Sequence, residues 1–332
     1  MKDILNSLLG RRDLSMAAAR DVMYRIMSGE FDDPQIAGFL VALRAKGETS
    51  SEIAGFAQAM REKMIKVPIT VDAIDMCGTG GDALGTFNIS TAASFVVAGG
   101  GVPVAKHGNR SITSQSGSAD VVTALGVDID KPPDEVARAV DTIGIGFMFA
   151  PSLHPAMKHV MPARQTLGIR TVFNILGPLC NPAGVRRQVL GIFDGTLTET
   201  LAKVLAKLGA EQAYIVHGED GLDELTTTTA TKVSHLLSTG VIKSGMVSPR
   251  SLGLSRTALS DLQGGSPEDN ARIIRSILGG SPGPQREIVV LNAAAGLMVG
   301  GEAADLPAGI TLAEESIDSG KALKALDDLV AL

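Results

Sequence analysis

The sequence contains very few aromatic residues and cysteines. Its 332 residues include no Trp, two Tyr and two Cys, and aromatic side chains make up 3% of the chain. Two cysteines, Cys77 and Cys180, cannot form a disulfide framework, so we expect a reducing compartment, the cytoplasm. The scarcity of aromatic rings also disfavours a platform on which the bases of single-stranded nucleic acid would stack.

Basic charge is also in short supply. Lys and Arg total 30 against 36 Asp and Glu, which gives a formal net charge of −6. A protein that wraps a nucleic-acid backbone needs a basic face, so we expect no nucleic-acid partner. The sequence has no apolar run of about 18 residues and no early apolar core typical of a signal peptide, so we expect no membrane association.

What the chain does have is glycine, at 38 positions, and apolar residues, which make up 45% of it, as is typical of a folded protein with a large core. Its length predicts two lobes or one large α/β domain. Residues 1–70 favour three amphipathic helices: one capped by Ser15, one capped by Asp33 with Pro34 at its first helical position, and one with a capping box formed by Thr49 and Glu52. We therefore predict a small helical domain over residues 1–70.

From about residue 71 the pattern changes to short apolar runs that alternate with helical stretches. The runs predict buried strands at residues 73–77, 102–106, 145–150, 188–193 and 213–217. Helical patterns follow at residues 133–143, 197–208, 267–278, 289–299 and 312–329. Alternation of this kind predicts an α/β domain over residues 71–332 with a mostly parallel sheet, whose ligands bind at the carboxyl ends of the strands.

The first of these strands ends in a glycine-rich turn that includes Gly78, Gly80 and Gly81. Adjacent glycines let backbone N–H groups converge on an anion without a Cβ in the way. The spacing matches the dinucleotide-binding motif, but that motif needs an acidic residue about 20 positions later, and here the next strand ends in Lys106. A phosphate-binding turn and a purely structural turn both remain open at this point.

Three further segments carry polar groups that suit a phosphorylated ligand. Ser90 or Thr91 at the start of the next helix is an ordinary N-cap or part of a phosphate site. The turn after Lys106 is rich in basic, amide and hydroxyl groups. The adjacent carboxylates Asp223 and Glu224 suit Mg²⁺, which binds one or two carboxylates together with substrate phosphates. The histidines show no zinc-binding spacing.

Taken together, these segments resemble the anthranilate phosphoribosyltransferase family over nearly the whole chain. The residues that carry the resemblance are 77–82, 88–91, 106–110, 114–120, 149, 154–158, 164, 174–179 and 217–224. The resemblance implies a small all-helical domain beside a larger α/β domain, in the fold shared with pyrimidine nucleoside phosphorylases. It implies that residues 154–178 return to the helical domain, and that two copies of the chain form a homodimer through that domain.

The activity implied by the resemblance is transfer of the phosphoribosyl group of 5-phosphoribosyl 1-diphosphate (PRPP) to anthranilate in tryptophan biosynthesis. The implied PRPP contacts are Gly78, Gly80, Gly81, Asp82, Thr86, Asn88, Ile89, Ser90, Thr91, Lys106, Asn109, Ser114 and Ser118. The implied anthranilate contacts are Gly78, His107, Asn109, Arg164, Gly177 and Pro178. Two Mg²⁺ ions would be bound with PRPP, through Ser90, Asp223 and Glu224. Gln115 departs from the basic residue of some relatives, and no residue is assigned as general base.

Two alternatives remain. A nucleoside phosphorylase on the same fold would use free phosphate and no essential Mg²⁺, and the acidic pair argues against it. A catalytically silent relative that binds nucleic acid would need a basic stripe, whereas this chain carries a net charge of −6 and keeps Asn109 and Arg164. The sequence therefore favours the phosphoribosyltransferase.

Overall fold

The computed structural model describes residues 1–82, 84–111 and 116–332, and its first part is entirely helical. Its helices are α1 (Lys2–Leu9), α2 (Met16–Met27), α3 (Asp33–Lys46) and α4 (Ser50–Lys63). The sequence predicted three helices, so α1 was missed. The residue that caps α3 is Asp32 rather than Asp33, with Pro34 at the second helical position.

The predicted capping box at the start of α4 is confirmed. The Glu52 N–H donates to Thr49 Oγ1 at 3.3 Å, and the Thr49 N–H donates to Glu52 Oε2 at 2.8 Å. The Glu52 carboxylate also accepts the Leu14 N–H at 2.9 Å and lies 2.9 Å from the Lys46 ammonium group. Because Glu52 is fully buried, these donors offset the cost of removing its charge from water.

A seven-stranded sheet forms the centre of the second part, in the order β3-β2-β1-β4-β5-β6-β7. The strands are β1 (Ile74–Gly78), β2 (Val104–Gly108), β3 (Ile145–Phe149), β4 (Arg187–Gly191), β5 (Gln212–Gly218), β6 (Thr231–Leu236) and β7 (Ile242–Val247). The first five are parallel, as predicted, and β6 and β7 are antiparallel additions that the sequence analysis missed.

Helices cover both faces of this sheet. They are α5 (Ile89–Gly99), α6 (Ser118–Ala124), α7 (Pro133–Ile143), α8 (Ala150–Leu153), α9 (Met161–Leu167), α10 (Phe173–Leu176), α11 (Thr198–Lys207), α12 (Pro267–Leu278), α13 (Pro284–Gly300), α14 (Leu306–Asp318) and α15 (Lys321–Ala331). The prediction of a single helix at residues 312–329 is wrong. The helix is interrupted at Gly320, which has a φ of +77° and separates α14 from α15.

The helical part and the sheet share one apolar core. Phe39 and Phe56 pack edge to face with ring centroids 5.9 Å apart, and the same cluster reaches Leu190 and Ile215 of the sheet. A second cluster, centred on α5 and α13, covers the opposite face. In the returning segment, α9 packs on α3 and α10 packs on α4. No helix in the described ranges is both long and apolar enough to cross a membrane.

Four of the five parallel strands end in glycine at the same edge of the sheet. These residues are Gly78, Gly108, Gly191 and Gly218. In the register between β1 and β4, Gly78 lies opposite Gly191. The carboxyl ends of the strands therefore form a rim without side chains, where loops and a ligand can approach the backbone closely.

Candidate functional site

The acidic pair lies against the glycine turn and the start of α5. The Gly80 N–H donates to Asp223 Oδ2 at 2.7 Å, and the Ser90 N–H donates to Glu224 Oε1 at 3.1 Å. These contacts join segments that are separated by more than a hundred residues in the chain. The three segments form one site at the carboxyl edge of the sheet.

Lys106 joins the same site from β2. Its Nζ donates to the Met76 carbonyl at 2.5 Å and lies 3.5 Å from Ser90 Oγ. The side chain is 2% exposed, and this burial lowers the pKa of Lys106, while the charges of Asp75 and Glu224 oppose the shift. Lys106 Nζ therefore lies beside the helix start, where its charged form can attract an anionic ligand.

The carboxyl groups of the pair hold their protons more tightly than usual. Burial raises the pKa of Asp223 to about 7, with a further contribution from the nearby charge of Asp82. Burial together with the charge of Asp223 raises the pKa of Glu224 to about 8, against the opposing charge of Lys106. Three acidic groups close together repel one another, and a bound cation would relieve this repulsion.

The donor set fits Mg²⁺. Within residues 1–82, 84–111 and 116–332, no three His, Cys, Asp or Glu side chains form a group able to hold a metal ion on their own. Two carboxylates beside a hydroxyl-bearing helix start are the partial ligand set that Mg²⁺ uses when substrate phosphates and water complete its coordination. Asp223, Glu224 and the Ser90 hydroxyl are the residues that could hold it.

The rim needs glycine because the acidic segment lies directly on it. A Cβ on Gly78 would lie 2.5 Å from Asp223 Oδ2, and one on Gly191 would lie 1.5 Å from the Asp223 carbonyl oxygen. Gly80 and Gly81 have φ values of +64° and +79°. The first turn was predicted from the sequence, whereas the role of Gly191 was missed, although its place in a predicted buried strand was the available signal.

The start of α5 differs from the prediction. Neither Ser90 nor Thr91 caps this helix: the N-cap is Asn88, whose side chain makes no capping hydrogen bond. Asn88 Nδ2 instead donates to the Ser116 carbonyl at 3.1 Å, and its Oδ1 accepts Asn270 Nδ2 at 3.0 Å. Asn88 therefore anchors the helix start to two other segments, and Ser90 and Thr91 lie in the first helical turn.

The remaining residues expected at the PRPP site lie in the first turn of α5 or in the segment that precedes it. Ile89 and Thr91 are buried, and Thr91 Oγ1 has no hydrogen-bond partner among the described residues. Thr86 pairs with Gln263 in an isolated antiparallel β-bridge, and Asp82 Oδ1 accepts the Leu84 N–H at 3.3 Å. Both belong to the connection between the glycine turn and α5.

The basic turn continues the site along β2. Asn109 is exposed, its Oδ1 accepts the Arg110 N–H at 2.7 Å, and its carbonyl accepts the Ser118 hydroxyl at 3.4 Å. Ser118 is therefore folded back beside Asn109. Ser114, also expected to contact PRPP, and the divergent Gln115 lie outside the described residues.

His107 connects the end of β2 to the returning segment. Its N–H donates to the buried Asp75 carboxylate at 3.2 Å, and its ring centroid lies 5.1 Å from that of His154. Burial and the neighbouring His154 lower the pKa of His107 to about 3, although its hydrogen bond to the Gly177 backbone works against the shift. Burial lowers the pKa of His154 to about 4. Both rings are therefore neutral at pH 7.

Arg164 and the turn at Gly177 and Pro178 belong to the returning segment. The Arg164 guanidinium lies 5.3 Å from the Phe173 ring centroid, and burial lowers its pKa. Within the part of the chain that the structure describes, Arg164 has no carboxylate in ion-pair distance. A half-buried guanidinium without an acidic partner can bind the carboxylate of a ligand.

Comparison with known proteins agrees with this geometry. The family described as "Glycosyl transferase family, helical bundle domain" matches residues 2–64, and "Glycosyl transferase family, a/b domain" matches residues 70–323. Anthranilate phosphoribosyltransferase of Acetivibrio thermocellus is 51% identical, over 99% of this chain and 96% of its own length.

Two solved structures extend the similarity to three dimensions. Anthranilate phosphoribosyltransferase of Thermus thermophilus has a TM-score of 0.94 and 43% identity, over 99% of this chain and 98% of that one. The enzyme of Saccharomyces cerevisiae in complex with PRPP and Mg has a TM-score of 0.90 and 32% identity, over 99% and 97% of the two chains. Both similarities cover the helical part and the sheet.

Proposed function

Because the chain belongs to the anthranilate phosphoribosyltransferase family, we propose that it transfers the 5-phosphoribosyl group from PRPP to the amine of anthranilate. The products are N-(5-phosphoribosyl)anthranilate and diphosphate, in tryptophan biosynthesis. The observation that carries this proposal is the meeting of the glycine turn, α5 and the acidic pair through Gly80–Asp223 and Ser90–Glu224.

The chain's own groups account for binding and orientation of PRPP. The turn after β1, the start of α5 and Lys106 present N–H groups and positive charge to a ligand that carries several phosphate oxygens. Such preorganised donors stabilise negative charge as it develops on the departing diphosphate. The proposed PRPP contacts are Gly78, Gly80, Gly81, Asp82, Thr86, Asn88, Ile89, Ser90, Thr91, Lys106, Asn109, Ser114 and Ser118.

Two magnesium ions are part of the proposal, one held through the Ser90 hydroxyl and one through Asp223 and Glu224. Bound magnesium would supply charge that offsets the negative charge of the leaving diphosphate. The raised pKa values of the two carboxyl groups suit this placement, because they arise from burial together with neighbouring negative charge, which a bound cation would offset.

Anthranilate would bind on the opposite side of the sugar, against the returning segment. Arg164 would hold its carboxylate, and Gly78, His107, Asn109, Gly177 and Pro178 would border its ring. The aromatic amine is neutral at pH 7 and can attack without a strong base. The residues around it therefore contribute orientation and proximity rather than acid–base chemistry.

A direct assay tests the proposed reaction. Anthranilate fluorescence should fall when PRPP and Mg²⁺ are added to the protein, with release of one diphosphate for each anthranilate consumed. A parallel reaction with a pyrimidine nucleoside and phosphate tests the phosphorylase alternative. Phosphorolysis without anthranilate consumption would contradict the proposed function.

We also propose that the enzyme is a cytoplasmic homodimer that associates through the helical domain. Both cysteines are free thiols, which suits a reducing compartment. The helical domain exposes large apolar side chains, among them Leu9 at 72% and Val41 at 44%. Light scattering should give twice the chain mass, and the double variant Leu9→Glu/Val41→Glu should shift it toward one chain. A wild-type protein that is monomeric at high concentration would contradict the dimer.

A further inference from the structure

An arginine from the returning segment lies against the glycine turn. Arg170, between α9 and α10, donates from Nη2 to the Gly81 carbonyl at 2.5 Å. Its guanidinium also lies 4.1 Å from the ring centroid of Phe193, a residue that follows β4. A hydrogen bond at the edge of the guanidinium and an aromatic ring on its face together fix the direction of this side chain.

The same arginine is attached to the helical domain. Arg44, on α3, donates to the backbone carbonyl of Arg170. The Phe193 N–H in turn donates to Thr79 Oγ1 at 3.1 Å, so the aromatic partner is itself tied to the glycine turn. A continuous series of contacts therefore runs from α3 through Arg170 to the turn after β1.

The hydrogen bond from Arg170 to Gly81 matters because the residues within the glycine turn do little to restrict its conformation. Gly80 and Gly81 both adopt positive φ values, and a Cβ on Gly80 would meet no described heavy atom within 4 Å. Glycine loses more conformational freedom on ordering than any other residue. In a planar trans peptide the N–H points away from the C=O, so a fixed Gly81 carbonyl also fixes the direction of the Asp82 N–H.

We propose that Arg170 is a positioning residue for PRPP, which acts by holding the Gly81 carbonyl and so presetting the backbone donors of the glycine turn. This inference rests on the proposed function, since it assumes that the turn binds PRPP. Arg170 acts through the turn, and Arg44 makes its position depend on the helical domain.

The test is steady-state kinetics of Arg170→Ala, Arg170→Lys and Arg44→Ala, with PRPP and anthranilate varied separately. Arg170→Ala should raise the KM for PRPP about tenfold, as expected for loss of a charge-assisted hydrogen bond that orders the turn. The KM for anthranilate should stay within about twofold, because the groups that the Arg170 guanidinium contacts, the Gly81 carbonyl and the Phe193 ring, are not among the proposed anthranilate contacts. Arg170→Lys should restore part of the loss, and Arg44→Ala should give a smaller rise in the same direction.

Arg138→Ala is the matched control, because this exposed arginine on α7 has only a 3.9 Å ion pair with Glu135. Thermal melting of each variant separates a change of the turn from a loss of folding. Unchanged KM values in Arg170→Ala, or equal rises for both substrates with a lower Tm, would overturn the inference. Absence of transfer by the wild-type protein would instead contradict the proposed function, and the two failures are therefore distinguishable.

Discussion

Arg164 has no carboxylate within ion-pair distance among the described residues, and its guanidinium contacts Met161 Sδ at 3.8 Å. Its guanidinium is half-buried against Phe173, and burial lowers its pKa. We predict that Arg164→Ala raises the KM for anthranilate about tenfold to a hundredfold, because a bidentate contact with the substrate carboxylate is lost. The KM for PRPP should be nearly unchanged. Equal losses for both substrates in the same kinetic assay would contradict this role, and Arg164→Lys serves as the charge-preserving control.

The acidic pair supports a second prediction. The double variant Asp223→Asn/Glu224→Gln keeps the size of both side chains but removes their charge. Turnover should fall by about two orders of magnitude or more, and added Mg²⁺ should restore it only in part, because neutral amides are weak magnesium ligands. The measurement is kcat at increasing Mg²⁺ concentration. Full activity at low Mg²⁺ would remove the proposed metal role.

At the scale of single residues, the sequence predicted those roles that depend on a residue's own type and on its place near the end of a strand. Asp223, Glu224 and Lys106 could be grouped beforehand, because each follows or ends a buried strand of a parallel sheet. The role of Asn88 could not be foreseen, since its side chain bonds to Ser116 and Asn270, which lie far away in the chain. Such contacts depend on tertiary packing, and they cannot be predicted from local propensity.

Among the elements, strand β4 has the strictest steric requirement. A Cβ on Gly191 would lie 1.5 Å from the Asp223 carbonyl oxygen, so the segment that carries the acidic pair would have to move. We predict that Gly191→Ala destabilises the protein by about 1–3 kcal/mol, a typical cost of overpacking, and lowers activity more than tenfold. Urea unfolding and kcat measurements check both effects.

The control for this substitution is Gly245→Ala, in the edge strand β7. A Cβ there meets no described heavy atom within 4 Å. Its stability should stay within about 0.5 kcal/mol of the wild type, with normal activity. If Gly191→Ala behaved like Gly245→Ala, the close approach of the acidic segment to β4 would be wrong.

Element prediction succeeded where periodicity was strong and failed where it was weak. The helices at Pro133–Ile143 and Pro267–Leu278 have the predicted bounds, since proline begins each one. Strand β7 was missed because four of its six residues are exposed, which leaves no buried alternation to detect. The break at Gly320 was missed because a single glycine within a helical pattern does not by itself end a helix.

Considered as a whole, the molecule places two neutral histidines between the sheet and the returning segment. The pKa of His107 is lowered to about 3 and that of His154 to about 4. Below about pH 6.5 the unfolded chain binds protons that the folded chain does not, so stability present above this pH is lost as the pH falls toward 4. Both histidines together should cost about 2 kcal/mol of unfolding free energy between pH 7 and 5.5.

Urea unfolding at several pH values measures this dependence. His107→Asn and His154→Asn keep a donor near the position of Nδ1 but do not titrate, so each variant should flatten the curve over this pH range. The surface variant Arg138→Ala should leave its slope unchanged. The raised pKa values of Asp223 and Glu224 act in the opposite direction over this pH range, so the histidine contribution is the difference in slope between each variant and the wild type. Histidine variants with the wild-type slope would show that these rings do not limit acid stability.

The overall architecture could be predicted because its pattern is distributed along the whole chain. The helical start, the alternation of strands and helices and the glycine turn after the first strand all favour the same α/β fold with a small helical domain. The shared core that joins Phe39 of α3 to Leu190 of β4 could not be derived, since amphipathic patterns identify a buried face but not its partner. Contacts that depend on this packing, including the hydrogen bond from Arg44 to the Arg170 carbonyl, could therefore not be predicted from the sequence.

The proposed function requires one site that is shared by the glycine turn, the start of α5, Lys106 and the acidic pair. Calorimetric titration of the whole protein with PRPP, in the presence and absence of Mg²⁺, tests it most directly. We predict one PRPP bound per chain with Mg²⁺, and affinity at least about tenfold weaker both without Mg²⁺ and in Asp223→Asn/Glu224→Gln. If PRPP bound as tightly to the double variant, and to the wild type without Mg²⁺, as it does to the wild type with Mg²⁺, the proposed shared site would be wrong.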